Sequence, residues 1–355
     1  MVVREIKDVR RIRAEYEQLA RRARPYQKYE MLLSVLGIPD SRKARSLVRC
    51  FCVYDDAGRL VLIAPLRIHG GRARMVGDSE SYNMSDLIYD TEDCALLEEA
   101  ICALLRHLRR SVFGGGGFVF EWWFLCEDMS WRALRNLRER GVIAFDAQPV
   151  NNVQIPLPES YELYLKTLSK HARQNLRTAG NRLVRDGHTM QVHFYPIYEG
   201  DPAVKKKARK AFGGYMDLYV KRREQRYQAD QSRTWMLQRL LYRYLGYGWA
   251  SAFFPMTLLA DISIDGETAA FLKSYVDRPH RTVTVPVLAI DQKWGFYSPG
   301  ILLVAEFVRH LIELGGIDTL SMGRGEEKYK FDMGGEIYTT QNLEIRLLEE
   351  REESC

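Results

Sequence analysis

One pattern constrains this chain more than any other. The order strand–turn–strand–turn–strand–helix–strand occurs twice. The first copy runs from SLVRCFCVYD through a D-D-A-G turn (Asp55 to Gly58) into RLVLIAPLRI, then the turn HGGR and ARMVG. A helix follows, with Thr91 as its expected N-cap, and after the flexible run GGGG (114–117) comes the apolar strand FVFEWWFL. The second copy runs from MTLLADISI through Asp265-Gly266, the strongest short hairpin signal in the chain, into ETAAFLKSYV, the turn DRPH and RTVTVPVLAI. Its helix, PGILLVAEFVRHLIEL, starts behind Ser298 and stops at Gly315-Gly316 before the strand IDTLSM. Thr91 lies 33 residues after Gly58, and Ser298 lies 32 after Gly266. The two copies share almost no identity, so the repeat is one of pattern. It predicts two α/β domains, 1–150 and 151–355, each a mixed, mostly antiparallel sheet flanked by helices.

Outside the repeat the reading is helical. The N-terminus, MVVREIKDVRRIRAEYEQLA, reads as an amphipathic charged helix, and WRALRNLRERG closes the first half as another. A basic helical insert spans 159–245, with helices expected over 159–186, 203–227 and 232–245. The net charge of +6 hides how uneven the chain is. Residues 166–243 carry 18 basic and 6 acidic groups, whereas 244–355 carry 10 and 17. A local excess of this size points to an anionic ligand such as a phosphate, a nucleotide or a nucleic acid, or else to solvated helices balanced by acidic neighbours.

The chain length of 355 residues allows a core that buries about 75% of the unfolded surface, so no disulfide or metal staple is needed. Six cysteines, at 50, 52, 94, 102, 126 and 355, form no CxxC pair and are expected to be reduced. No export signal is legible, and the longest uncharged apolar-rich stretch, Gly248 to Ala260, is too short to cross a bilayer. A cytoplasmic protein is expected. No HxxxH or HxH pair, no GxSxG elbow and no GxxxxGK[ST] loop is present, which removes metal, serine-hydrolase and P-loop readings.

The chemistry concentrates in Val287 to Lys330. A buried strand ends in DQKWGFYS and leads into a helix. Ser298 suits the N-cap, Pro299 the first helical position, and Gly300 opens the backbone to close approach. Such a helix start at a strand end suits a pyrophosphate, or is an ordinary well-capped core helix. Next, GRGEEKYKF (323–331) crowds Arg324, Glu326, Glu327, Lys328, Tyr329 and Lys330 at the end of a strand, where open α/β sheets bind ligand. There a Glu can serve as base and a Tyr as acid, or Arg324 staples a turn. Lys273 and Tyr275 share one side of a strand, where the lysine faces a cleft or snorkels from an edge. The loop SESYNMSDLIYD (79–90) gathers Tyr82, Asn83, Asp86 and Asp90 as a substrate loop or a turn. Phe253, Phe254 and Phe271 are acyl-chain walls or plain core.

These elements, with LSKHARQNLRTAGNRL (168–183), FYSPGILL (296–303), GRGEEKYK (323–330) and IAPL (63–66), resemble the CelD/BcsL-type acetyltransferases of the GNAT superfamily, relatives of the Fem-type aminoacyltransferases. The resemblance covers roughly 10–345. It implies tandem GNAT-like (acyl-CoA N-acyltransferase) domains, acetyl-CoA or another acyl-CoA as co-substrate, no metal, and attack of an amine on the thioester. On this resemblance Trp294, Tyr297, Ser298, Gly300, Ile301 and Leu302 hold the acyl-CoA. Glu326 and Tyr329 are the candidate base and acid. Tyr82, Asp86, Lys273, Tyr275, Arg324 and Lys330 meet the acceptor, a small-molecule or glycan-precursor amine. The family's GRGDE is GRGEE here, which lengthens the carboxylate arm at Glu326 by a methylene. Two other readings stand: a transferase using aminoacyl-tRNA, and a non-catalytic partner in polysaccharide synthesis.

Overall fold

A computed structural model describes residues 1–36, 48–76, 84–226 and 250–348. The chain forms two compact units. One is Met1–Asn151 with Thr339–Cys355, the other Asn152–Tyr338.

The first unit begins with a strand where a helix was expected: β1 (Val2–Ile6). It lies antiparallel against β2 (Val48–Tyr54), and the helix starts only at Arg13. β3 (Leu60–His69) and β4 (Arg72–Met75) continue the antiparallel ladder. The helix Cys94–His107 then crosses over to β5 (Val119–Leu125), which is parallel to β4. Its cap is Asp93, not Thr91. The Thr91 hydroxyl accepts from Asp93 N–H, and the Asp93 carboxylate accepts from Ala95 and Leu96 N–H. The helix Met129–Glu139 precedes β6 (Ile143–Pro156).

The second unit repeats the plan around a larger core. The basic insert gives the helices Tyr161–Thr167, Lys170–Arg185 and Pro202–Arg226. It also holds a strand that was not expected, β7 (Met190–Pro196), the antiparallel neighbour of β8 (Thr257–Ile264). The helix expected over 232–245 lies outside the described residues. β8 and β9 (Glu267–Asp277) meet at the Asp265-Gly266 hairpin, where φ values of 51° and 81° give the type I′ geometry expected of that dipeptide. β10 (Thr282–Ile290) pairs antiparallel with β9. The helix Pro299–Leu314 crosses over to β11 (Thr319–Arg324), parallel to β10.

The helix Pro299–Leu314 buries Leu302, Leu303, Val304, Ala305, Phe307, Val308 and Leu311 against one face of this sheet. The helix Pro202–Arg226 covers the other face, with Tyr215 and Met216 against Leu259, Phe271 and Ala289. Each unit is thus a mixed, mostly antiparallel sheet with helices on it. The last strand explains the unit boundaries. β12 (Glu336–Leu347) pairs with β5 of the first unit through Gln341, Leu343, Glu344 and Ile345, while the end of β6 (Asn152–Pro156) pairs with β11 of the second. Each unit therefore takes one strand from the other half of the chain, so its edge does not follow the midpoint of the sequence.

Four of the five described cysteines are buried. Among the described residues no helix is long and apolar enough to cross a membrane.

Candidate active site

β10 and β11 pair in parallel at only three positions, Thr282 with Thr319, Val283 with Leu320 and Thr284 with Ser321. Each then stays with its outer neighbour and leaves the other. β10 slips register between Thr284 and Val287 and continues along β9 to Ile290. β11 slips between Ser321 and Gly323 and continues along β6 to Arg324. Two bulges at one level open a splay. Beyond it Pro286, Val287 and Leu288 are half-buried, where Val283, Thr284 and Val285 were buried. The inner edge of β10 has no strand partner there among the described residues, so its backbone groups are left for something else to satisfy.

The splay leads to the start of the helix Pro299–Leu314. The expectation of a side-chain cap is corrected here. Ser298 is left-handed (φ 51°, ψ 50°) and its hydroxyl caps nothing; it closes the tight turn Gln292–Tyr297 instead. Its carbonyl accepts from both Ile301 and Leu302 N–H, so those two donors are already used. Pro299 has no N–H, and the N–H of Gly300 is the first-turn donor with no acceptor among the described residues. A Cβ at Gly300 would stand 2.8 Å from Ile290 Cγ2 at the end of β10, so only glycine brings helix and strand this close.

The other residues expected to hold a cofactor shape this turn. Trp294 is buried, Ile301 half-buried and Leu302 buried. Tyr297 OH donates to Asp186 at 3.1 Å and lies 3.0 Å from His188 Nε2, while His188 Nδ1 lies 2.7 Å from Asp265. This chain of bonds ties the turn to the end of the helix Lys170–Arg185 and to the β8–β9 hairpin. The helix also donates through Arg182 Nη1 to Phe296 O at 3.1 Å.

The GRGEEKYK segment forms the end of β11 and a short helix, Lys328–Asp332. Glu326 is exposed and Tyr329 half-buried against the core; Arg324 is half-buried beside Asn152 of β6. Lys330 differs from expectation. It is buried, and its ammonium donates to the carbonyls of Arg324 (2.7 Å), Gly325 (2.9 Å) and Gly323 (3.4 Å) and pairs with Glu327 at 2.8 Å. It holds the loop rather than reaching outward to an acceptor.

Lys273 and Tyr275 lie on central β9, so the edge alternative is excluded. Lys273 stands opposite Val287, where β10 bulges. Burial pushes its ammonium down to about 8, and its Nζ lies 5.4 Å from the Tyr275 ring centre. Phe271 and Phe253 pack in the core under the helix Pro202–Arg226.

Asp86 belongs to the first unit and is bonded within it. It accepts from Ser130 Oγ (2.6 Å) and Leu87 N–H (2.7 Å). Burial, with Asp128 adding negative charge, pushes its carboxyl up to about 7. Tyr82 lies outside the described residues. Because the folded-state value lies above the unfolded one, Asp86 takes stability away as pH rises from about 4 to about 7, and the loss is complete above that. Asp86→Asn is therefore expected to raise the melting temperature at pH 8 more than at pH 5. An equal shift at both would show that the carboxyl does not titrate in this window.

The first unit does not repeat the splay. Where β4 and β5 part, Ser85 N–H donates to Phe124 O (3.1 Å), the Trp122 indole donates to Ser85 O (3.0 Å), and Ile88 bridges to Ile63. The segment Met84–Ile88 fills the place, and the Asp93 carboxylate occupies the helix start.

Residues 170–331 match an acetyltransferase (GNAT) domain. The matched stretch lies within the second unit and contains the splay, Gly300 and the GRGEEKYK loop. A conserved protein of unknown function from Bacteroides thetaiotaomicron is similar in structure over 98% of this chain and 100% of its own, with a TM-score of 0.59 and 13% identity. At that identity the likeness shows the fold alone. FemX (TM-score 0.47, 11% identity, 98% of each chain) and a tandem GNAT protein from the clavulanic acid biosynthesis pathway (0.48, 11%, 97% of this chain and 98% of its own) are similar more loosely. No curated protein matches the chain. The GNAT match is confined to the second unit, a mixed, mostly antiparallel sheet flanked by helices, and it supports acyltransferase activity there. Among the described residues no three His, Cys, Asp or Glu side chains converge as a metal site would require.

Proposed function

We propose that the second unit binds acetyl-CoA or another acyl-CoA in the β10–β11 splay and transfers the acyl group to an amine of a sugar, an amino acid or a cell-envelope precursor. The observation that carries this reading is the splay ending at Gly300, whose unpaired N–H sits at the positive end of the helix Pro299–Leu314. A strip of open strand edge suits a pantetheine amide chain, and a helix start with an open N–H suits a pyrophosphate. An N–H on the open edge of β10 would polarise the thioester carbonyl. Glu326 would take the proton from the attacking amine, the C–N bond would form and the C–S bond break, and Tyr329 would return a proton to the thiolate. Arg324, Lys273 and Tyr275 are the groups proposed to hold the acceptor. Calorimetric titration with acetyl-CoA and longer acyl-CoAs tests this. Saturable binding is expected, and failure of every acyl-CoA to bind would sink the reading.

One observation favours a second reading, transfer from an aminoacyl-tRNA. Lys205, Lys206, Lys207 and Lys210, on the helix Pro202–Arg226, form no ion pair with a described residue, and Lys206, Lys207 and Lys210 are exposed. If they contact four phosphates, the logarithm of tRNA affinity should fall with the logarithm of salt at a slope of about −3 to −4. Replacing all four by Glu should flatten that slope. Salt-independent or absent binding would remove this reading and leave acyl-CoA alone.

A further inference from the structure

The turn Gln292–Tyr297 that leads into the helix start carries one aromatic side chain on its surface. Trp294 is 7% exposed and Tyr297 is half-buried, yet Phe296 between them is 56% exposed. A phenyl ring left largely in water forgoes most of the stabilisation its burial would bring. It is nonetheless held firmly. Arg182, from the helix Lys170–Arg185, donates to the carbonyl of Phe296 at 3.1 Å, and its guanidinium carbon sits 4.6 Å from the Phe296 ring centre. The Tyr297 ring abuts it nearly edge-on, at 5.2 Å and 80°. One guanidinium therefore fixes both the backbone and the ring, which removes much of the ordering cost of using that ring as a surface.

We propose that Phe296, backed by Arg182, is the platform on which the adenine ring of the acyl-CoA stacks. The inference rests on the acyl-CoA reading and extends it to a nucleotide subsite. A planar base needs a flat, apolar, immobile partner, and base–aromatic stacking tolerates many orientations because it needs no matched hydrogen bonds. Position in the chain favours adenine over the acyl end. The open N–H of Gly300 is four residues after Phe296, and the splay lies beyond it on the β10 side. With the pyrophosphate at Gly300 and the pantetheine in the splay, the adenosine half is the part left to leave over the preceding turn. Arg182 adds a positive charge beside that exit, as the phosphorylated ribose of CoA requires.

The test compares CoA with 4′-phosphopantetheine, which lacks the adenosine, by calorimetry on the full chain. Phe296→Ala is expected to weaken CoA about tenfold to a hundredfold, the range set by stacking one base. The same variant should bind 4′-phosphopantetheine as the wild type does. Phe296→Trp, which keeps a flat ring, should keep CoA affinity. The proposal is overturned if Phe296→Ala binds CoA like the wild type, or if both ligands weaken alike, since the residue would then only shape the turn. Failure of the wild type to bind either ligand is a distinct result: it removes the acyl-CoA reading itself, and the subsite with it.

Discussion

Ser298→Asp should cost most of the affinity for acyl-CoA while leaving the protein folded. The residue is left-handed at φ 51°, a conformation that Asp tolerates better than most side chains. A carboxylate at the N-terminus of the helix Pro299–Leu314 also complements the helix dipole, so the melting temperature should hold or rise. What it removes is the attraction for a pyrophosphate. A unit charge about 4 Å from a phosphate, at the effective dielectric near a protein surface, costs about 4 kcal/mol before salt screening. Half of that is still roughly thirtyfold in binding. At the corresponding helix start of the first unit a carboxylate already stands, that of Asp93, which from an extended backbone accepts from the N–H groups of Ala95 and Leu96. Ser298→Asn, neutral and of similar shape, should bind close to wild type. Calorimetry decides it: if Ser298→Asp binds acetyl-CoA as tightly as Ser298→Asn does, the pyrophosphate is not at this helix.

The duplicated plan was legible because its signals are local. The Asp265-Gly266 hairpin, the period-two strands around it and the glycine stop at Gly315 each act within a few residues. Two strands escaped for different reasons. The N-terminus has its apolar residues at Val2, Val3, Ile6 and Val9, a spacing that mimics one face of a helix, and only its partner β2 makes Val2–Ile6 a strand. β7 does alternate, with Met190, Val192 and Phe194 on the core and Gln191 and His193 between them, but the alternation is only five residues long and lies between two strong helical signals. At the site, S-P-G announced a helix start correctly. That the serine would be left-handed depends on the tight turn before it. Which N–H stays open depends on Ser298 O accepting two donors at once. The exposure of Phe296 is not legible in the sequence, because a phenylalanine between a tryptophan and a tyrosine carries no sign of it. Lys330 was expected to meet the acceptor because the GRGEEKYK loop resembles the family's. Its true partners are three carbonyls brought together by the curl of the chain after β11, which composition does not encode.

Lys330→Met should be the most destabilising single change in the GRGEEKYK loop. Lys330 is 2% exposed, and its ammonium supplies donors to Gly323, Arg324 and Gly325 as well as a counter-charge to Glu327. Methionine fills nearly the same volume, so little is lost in packing. Left behind are carbonyls with no donor and a carboxylate with no cation. Leaving buried carbonyls without a donor costs about 1–3 kcal/mol, while the exposed Glu327 carboxylate turns to water. Arg should not rescue it, because a planar fork cannot direct its donors at three carbonyls converging on one point. The loop has little room to adapt: Gly325 holds φ 93°, and a Cβ there would meet Glu327 Oε2 at 2.7 Å. Urea unfolding should show the loss, and hydrogen exchange should rise first at Gly323 to Gly325. Acyl transfer should fall with it, since Glu326 and Tyr329 are carried on the same turn. If instead Lys330→Met unfolds with the wild type and loses only affinity for an amine acceptor, the lysine serves the substrate after all and the staple is not what holds the loop.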